Sequence, residues 1–318
     1  MNGAVLRYLL RRLLLSVPLL FVVSILTFLM VAIVPGDPAV RLLGAGHTAA
    51  EYQAADTKLG LTAPLLVQYW HWADGVFHGT MGTSLFTNQT VTGELAQRLP
   101  TTAWLVIAAT LVTVLAGVAL GLASAVWRGP LGRVVDAASW VFFAVPNFWL
   151  GLVLIEFIAV KANLLPSSGY VPLGQDPAAW LRSLILPVIT LAAVGVTGIA
   201  KQTRDAMADV LGREFMAALR MAGLPRRSLL LRHALRNAAI PIVTAAGLFS
   251  IAMLGGTILV EQVFVLPGMG SLVVQAASDH DLPVIEGAVL YFTLIVIVVN
   301  LLIDLSYAWL NPKVRVTA

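Results

Sequence analysis

Six long apolar runs constrain this chain more than any other feature: 13–34, 102–127, 137–158, 184–200, 238–260 and 287–310. About 20 largely apolar residues in helical form cross ~30 Å of hydrocarbon, and charges, Pro/Gly clusters or aromatic residues bound each run. The fourth is the shortest and extends toward Arg182, which can snorkel. Hydrophobic residues make up 59% of the 318 and charged residues only 11%, whereas a soluble domain carries roughly a quarter charged residues. The sequence therefore predicts an all-α integral membrane protein with six transmembrane helices. Arg7, Arg11 and Arg12 precede the first run, as in a signal peptide. That run exceeds a usual h-region, however, and Val34-Pro35-Gly36-Asp37 is a poor cleavage site, so it reads as a retained span.

The basic residues set the orientation, because Lys and Arg near span ends stay cytoplasmic. With the N-terminus inside, 15 of the 20 basic residues fall in inner segments; the five outside are Arg41, Lys58, Arg98, Lys161 and Arg182. Both termini are then cytoplasmic. The net charge of +4 thus marks topology rather than a nucleic-acid partner, since the inner segments lack the interleaved aromatics of a stacking surface. Three stretches result: 1–34 with the first span, an extracytoplasmic segment 35–100, and a five-helix core 101–318 that includes an inner loop 201–238. The outer segment mixes polar with aromatic residues (Tyr52, Tyr69, Trp70, Trp72) and has turn signals at Gly79–Thr83. It is expected to form a small helical layer on the membrane.

Several chemistries are absent. No lysine follows a glycine, so there is no GxxxxGK[ST] phosphate loop; HExxH and GxSxG are also missing. With no cysteine, disulfides and thiolate sites are excluded. His71 and His78 could share a helix face but read as interfacial residues, so neither a catalytic nor a metal site is expected. Ionisable residues in the spans are few and lie toward the ends: Asp136, Glu156 and Asp304. Glu156 is a partner for Lys161, and Asp304 a structural pair or cap. A secondary transporter working alone would line its middle with acidic or histidine relays and often show an inverted repeat; neither is found.

The inner loop reads REFMAALRMAGLPRRSLLLRHALRNAAIP over 213–241. Helix formers run from Arg213 to Ala222, Gly223 provides a stop, and Pro225 suits the first position of a new helix. On a wheel, Leu230, Leu231, Ala234, Leu235 and Ala238 share one arc, with Leu229 an exception. This basic amphipathic element could lie on anionic headgroups or dock a cytoplasmic partner.

Ala217-Ala218, Gly223 and the following helix resemble the cytoplasmic EAA loop of permease subunits of bacterial ABC importers. AALRMAGLPRRSLLLRHALRNAAIP is similar to the peptide and nickel branch, the dipeptide/oligopeptide permease family. The resemblance spans nearly the whole chain: Gln68-Tyr69, Gly82-Thr83-Ser84, Arg98-Leu99-Pro100-Thr101, Val145 to Gly151 (VPNFWLG), Leu165 to Tyr170 (LPSSGY), Leu186-Pro187, Glu261 to Phe264 (EQVF), Pro267 to Gly270 (PGMG), Asp281-Leu282-Pro283, Asn300 with Asp304 and Tyr307, and a tail at Asn311 to Arg315 like the family's DPRIR ending. Ala217 stands where the general loop pattern has glutamate, and its closing LP pair is missing; both departures are similar to what the peptide branch shows.

The resemblance implies a non-catalytic subunit in the bacterial cytoplasmic membrane that forms half of an import pathway. Its implied partners are a second homologous permease, two cytoplasmic ATPase domains that bind ATP and Mg, and an extracytoplasmic solute-binding protein; no cofactor sits on this chain. Short peptides are the implied cargo, with nickel and glutathione as alternatives within the family. The segment from Gly223 to Arg236 would be the coupling helix. Ala217, Ala218, Gly223, Leu224, Arg226, Arg227, Leu231, Arg232 and His233 would meet the ATPase, with Leu230 and Leu235 as further packing candidates. Glu261, Phe264, Pro267, Gly268 and Asp281 would face the external gate or binding protein.

Overall fold

The computed structural model describes residues 3–33, 38–44, 46–126 and 130–310. Val34-Pro35-Gly36-Asp37, Arg128 and the tail from Asn311 to Arg315 lie outside them. The described residues are helical with no strand, apart from one isolated bridge between Thr83 and Thr90. Five helices among them are long and apolar enough to cross a membrane. They are α1 (Gly3–Ile33), α5 (Val91–Val126), α8 (Pro177–Leu211), the continuous rod Arg226–Phe264, and α13 (Leu282–Leu310).

The third predicted span differs from the other five. It is split into α6 (Pro130–Ala144) and α7 (Asn147–Leu154), the latter running on as a π-helical stretch, Ile155–Lys161. Pro146 explains the break: it lacks an N–H and biases Val145 away from helical geometry. At the far end of the π stretch, Lys161 pairs with Glu156 at 3.2 Å, as the sequence predicts, and its ammonium lies 4.5 Å from the Phe157 ring.

The chain divides into two compact units. The first contains Met1–Leu9, Ala103–Leu266 and Val298–Ala318. Its centre is α8, whose most apolar window is 67% buried against 33% or less for the other candidate spans. A helix apolar on all sides is built for such a position. Asp176 caps its start, accepting from the N–H groups of Ala178 (2.9 Å) and Ala179 (3.1 Å), with Pro177 at the first helical position. Close approach to α5 depends on small residues. A Cβ on Gly121 would lie 2.4 Å from the Ala200 carbonyl oxygen, and one on Gly117 would lie 2.7 Å from Ile199. The Gly117-xxx-Gly121 spacing puts both glycines on one face, where lipid-embedded helices pack through backbone contact.

The second unit contains Leu10–Thr102 and Pro267–Ile297. The segment expected to be helical contains three short helices, α2 (Pro38–Leu43), α3 (Ala49–Lys58) and α4 (Leu65–Phe77). A capping box opens α3, with the Thr48 and Glu51 side chains and backbones bonded reciprocally. These bonds hold the Glu51 carboxyl below its usual range. Tyr69 fixes α4 to α1: its hydroxyl lies 2.9 Å from Ser24 Oγ, and its ring meets Phe28 edge-on. A second cluster gathers Val91, Leu95, Met269, Leu272, Ala276, Val284, Ile285 and Ala288. Among these, Met269, Leu272 and Ala276 belong to α12 (Met269–Asp279).

Candidate functional site

The predicted inner loop folds around a short helix. After α8 ends at Leu211 and the chain bends at Gly212, α9 spans Glu214–Met221. Glu214 occupies its first turn, where a negative charge suits the helix dipole. Arg220 Nη2 donates to the Leu211 carbonyl at 2.7 Å. The C-terminus closes as a Schellman motif. The N–H of Leu224 bonds the Leu219 carbonyl (3.4 Å) and that of Gly223 bonds Arg220 (3.0 Å), with Gly223 at φ +75°. Leu219 and Leu224 both pack on the cluster that holds Met207, Val210 and Met216, the hydrophobic contact this motif usually carries. Met216 alone of α9 is fully buried; Ala217, Ala218 and Gly223 are exposed, and Met221 is 84% exposed.

Pro225 caps the next helix in extended conformation, one position before the predicted one. From there α10 (Arg226–Ser228), a π-helical stretch Leu229–Ala234 and α11 (Leu235–Phe264) form one rod. The expectation of a separate short helix over Gly223–Arg236 is therefore corrected: the freestanding helix is α9, and Arg226 onward is the start of a span. The wheel changes too. Leu229, the predicted exception, is buried, whereas Leu231 is 45% exposed. A π stretch advances each residue by less than 100°, which turns Leu229 toward Ala234 and Ala238 in the core. Leu224, Leu230 and Leu235, expected to pack on the ATPase, lie half-buried against this chain's own cluster; Arg226, Arg227 and Arg232 are exposed and His233 is half-buried.

Near this loop, an ion-pair network joins α6 to α8. Arg204 Nη1 donates to Asp136 (2.8 Å) and to the Gly132 carbonyl (2.9 Å), while Lys201 lies 3.9 Å from Asp136 and 3.7 Å from Asp205. Asp136 is thus a structural partner.

The predicted outer residues fall in both units. In the first, Glu261 and Phe264 are fully buried (0% and 1% exposed). They form the end of α11, which also closes as a Schellman motif: Leu266 N–H bonds Glu261 O (2.8 Å) and Val265 N–H bonds Gln262 O (3.4 Å). Here the left-handed position is held by Val265 at φ +52°. In the second unit, Pro267 is exposed, Gly268 is buried, and the N–H of Met269 donates to Thr102 Oγ1 (2.8 Å). Asp281, 4% exposed, accepts from the Ser84 hydroxyl and from Leu85 N–H (3.3 Å). Burial raises its pKa, and these hydrogen bonds only partly oppose the rise.

Sequence reasoning missed Glu286. It lies one residue before the sixth run, yet it sits inside α13 at 2% exposure with no hydrogen-bond partner for either carboxylate oxygen among the described residues. Asp304 is also buried. No group of three or more His, Asp or Glu among the described residues is placed to hold a metal ion.

Residues 117–316 match the family model described as binding-protein-dependent transport system inner membrane component, and residues 5–106 match the model for the N-terminal part of such components. A peptide transport system permease protein of Brucella abortus is 35% identical over 96% of this chain and 98% of its own length. A peptide ABC transporter permease protein of Sinorhizobium fredii is 38% identical (97% and 99% covered), and the glutathione transport system permease protein GsiC of Salmonella choleraesuis is 39% identical (98% and 99% covered). With near-complete coverage by both, the chain belongs to the inner-membrane components of binding-protein-dependent transport systems, the permease subunits of ABC importers.

Proposed function

We propose that this chain forms half of the translocation pathway for short peptides, paired with a second homologous permease and driven by two cytoplasmic ATPase domains that carry the ATP and Mg. In this reading α9 with its Gly223 turn is the element that seats in the ATPase. One observation supports it above the rest: a short helix closed by its own backbone bonds presents Ala217, Ala218 and the 84%-exposed Met221 outward. Arg226, Arg227, Arg232 and His233, at the foot of the adjoining rod, add polar contacts. Rigid-body motion of such a helix can bias a bundle between inward-open and outward-open arrangements.

In the proposed topology six spans cross the bacterial cytoplasmic membrane, with α6 and α7 together making the third and both termini inside. Pro267 and the turns shaped by Glu261, Phe264, Gly268 and Asp281 then lie on the side where a binding protein delivers cargo. The relatives named for peptide transport support peptide cargo, and GsiC supports glutathione, itself a modified tripeptide, as a second reading.

The test is co-expression with the neighbouring permease and ATPase subunits, purification on a tag placed here, and ATP hydrolysis in lipid with and without loaded binding protein. Copurification with stimulated hydrolysis is expected. Gly223→Val, which forces a β-branched residue to φ +75° at a cost of about 1–2 kcal/mol, should weaken ATPase retention and uncouple hydrolysis from loading. Solute movement by the lone chain under an ion gradient without ATP would overturn the reading.

A further inference from the structure

A cavity of about 510 Å³ in the first unit opens between the loop that follows the π stretch Ile155–Lys161 and the start of α8. Asn163, Leu164, Ser168, Gly169 and Tyr170 of the loop line it, with Arg182 of the helix. Backbone bonds hold the loop in shape: Leu164 N–H donates to the Ile158 carbonyl (3.1 Å) and Gly169 N–H to that of Phe264 (2.9 Å). Arg182 Nη2 donates to the Leu164 carbonyl at 3.0 Å, which fixes the guanidinium at the cavity wall and leaves its other donors free. Among the described residues Arg182 forms no ion pair, and it is the one charged side chain in the lining. The acids nearby in sequence are engaged elsewhere, Glu156 with Lys161 (3.2 Å) and Asp176 with the first N–H groups of α8. The ends of two apolar runs put this cavity at headgroup level: the third run stops at Ile158 and the fourth starts at Leu184, and the lining residues lie just beyond those ends. Trp104 and Trp180 meet edge-on with centroids 5.4 Å apart, an aromatic pair of the kind that marks the membrane interface. Phe157, Val160, Leu164 and Leu181 are each more than half exposed, so bare apolar surface adjoins a guanidinium that lacks a counter-ion.

We propose that this cavity holds the headgroup of an anionic phospholipid. Arg182 donates to the phosphate oxygens, a pairing that its planar fork suits, and Asn163, Ser168 and Tyr170 supply donors for the other headgroup oxygens. The acyl chains run over Phe157 and Val160. One positive charge and no acid in the lining favour a headgroup of net negative charge over a zwitterionic one. The volume lies within the roughly 300–1,000 Å³ of sites that take a small organic ligand. In the proposed topology this lipid belongs to the outer leaflet, where basic residues are few and Arg182 is therefore conspicuous. The assignment rests on the chain's place in the membrane and is independent of the cargo.

The test titrates the purified permease–ATPase complex in detergent with phosphatidylglycerol or with phosphatidylcholine of the same chains, and native mass spectrometry counts the lipids bound and gives the constant for the tightest site. Phosphatidylglycerol should bind there at least about tenfold more tightly, given the strength of charge-assisted hydrogen bonds. Arg182→Gln should abolish that preference, and Arg182→Lys should keep part of it. Because Arg182→Gln also removes the bond to Leu164, a second variant leaves the loop's bonds intact: Ser168→Asp, at an exposed position, places a carboxylate in the cavity and should abolish the preference as well. Lys58→Gln, an equal loss of charge outside the cavity, should leave it unchanged. Soluble glycerol 3-phosphate at the same concentration should not displace the lipid. Equal constants for the two lipids in the wild type, a preference that survives Arg182→Gln and Ser168→Asp, or one lost equally in Lys58→Gln would overturn the assignment. Displacement by glycerol 3-phosphate would overturn it too, in favour of a soluble phosphoester.

Discussion

Two residues show backbone and charge working against side-chain preference. Val265 holds a left-handed conformation, which costs a residue with a Cβ about 1–2 kcal/mol, and its side chain is 68% exposed, so it gains little packing in return. Val265→Gly should raise the thermal unfolding midpoint in detergent, by an amount corresponding to roughly 0.5–1 kcal/mol once glycine's added unfolded-state entropy is subtracted. A lower midpoint would mean the valine makes contacts that this geometry lacks. Asp281 supplies a pH signature. Its folded pKa lies above the ordinary 3.8 because burial favours the neutral acid, so the native state binds this proton more tightly than the unfolded chain. Its contribution to stability should then decline as pH rises from 3.8 through the raised value, and recover on acidification. Midpoints measured across that window for wild type and Asp281→Asn should differ in slope; parallel curves would refute the assignment.

At the scale of elements, the contact of α5 with α8 is set by backbone proximity. With a built Cβ only 2.4 Å from a carbonyl oxygen, Gly121→Ala should push the helices apart and cost about 1–3 kcal/mol. Gly255, whose Cβ would meet nothing within 4 Å, is the control, and Gly255→Ala should leave stability unchanged or slightly higher. Equal midpoints for the two variants would contradict the packing. Five of the six predicted spans coincide with helices long and apolar enough to cross a membrane, because hydrocarbon thickness imposes a length on apolar runs. The third is not among those five: it falls across α6, α7 and the π stretch, and Pro146 was the available signal for the break. Gly223 marked the end of α9 correctly. The π stretch at Leu229–Ala234 was invisible, because a wheel drawn at 100° assumes the register that the stretch alters, and so Leu229 and Leu231 exchanged roles. Glu286 was missed because a window of apolar residues stops at the first charge, while the helix does not.

For the whole molecule, absence of cysteine makes topology directly measurable. Single cysteines at Gln53 of α3 and Ala218 of α9, both exposed, should divide cleanly. In intact cells a membrane-impermeant maleimide should label the first and reach the second only after permeabilisation. Labelling of both from outside would refute the proposed cytoplasmic position of α9. That helix also carries a consequence for how the chain can change over time. Its closure uses backbone groups, one glycine and a single fully buried methionine, so the side chains on its outer face are nearly irrelevant to whether this subunit folds. In the proposed function they are answerable to another protein. Substitutions there should pass unseen in any assay of this chain by itself and surface only as a changed choice of motor. On that proposal the helix would be a separable adapter, exchangeable between related permeases while the surrounding bundle stays as it is.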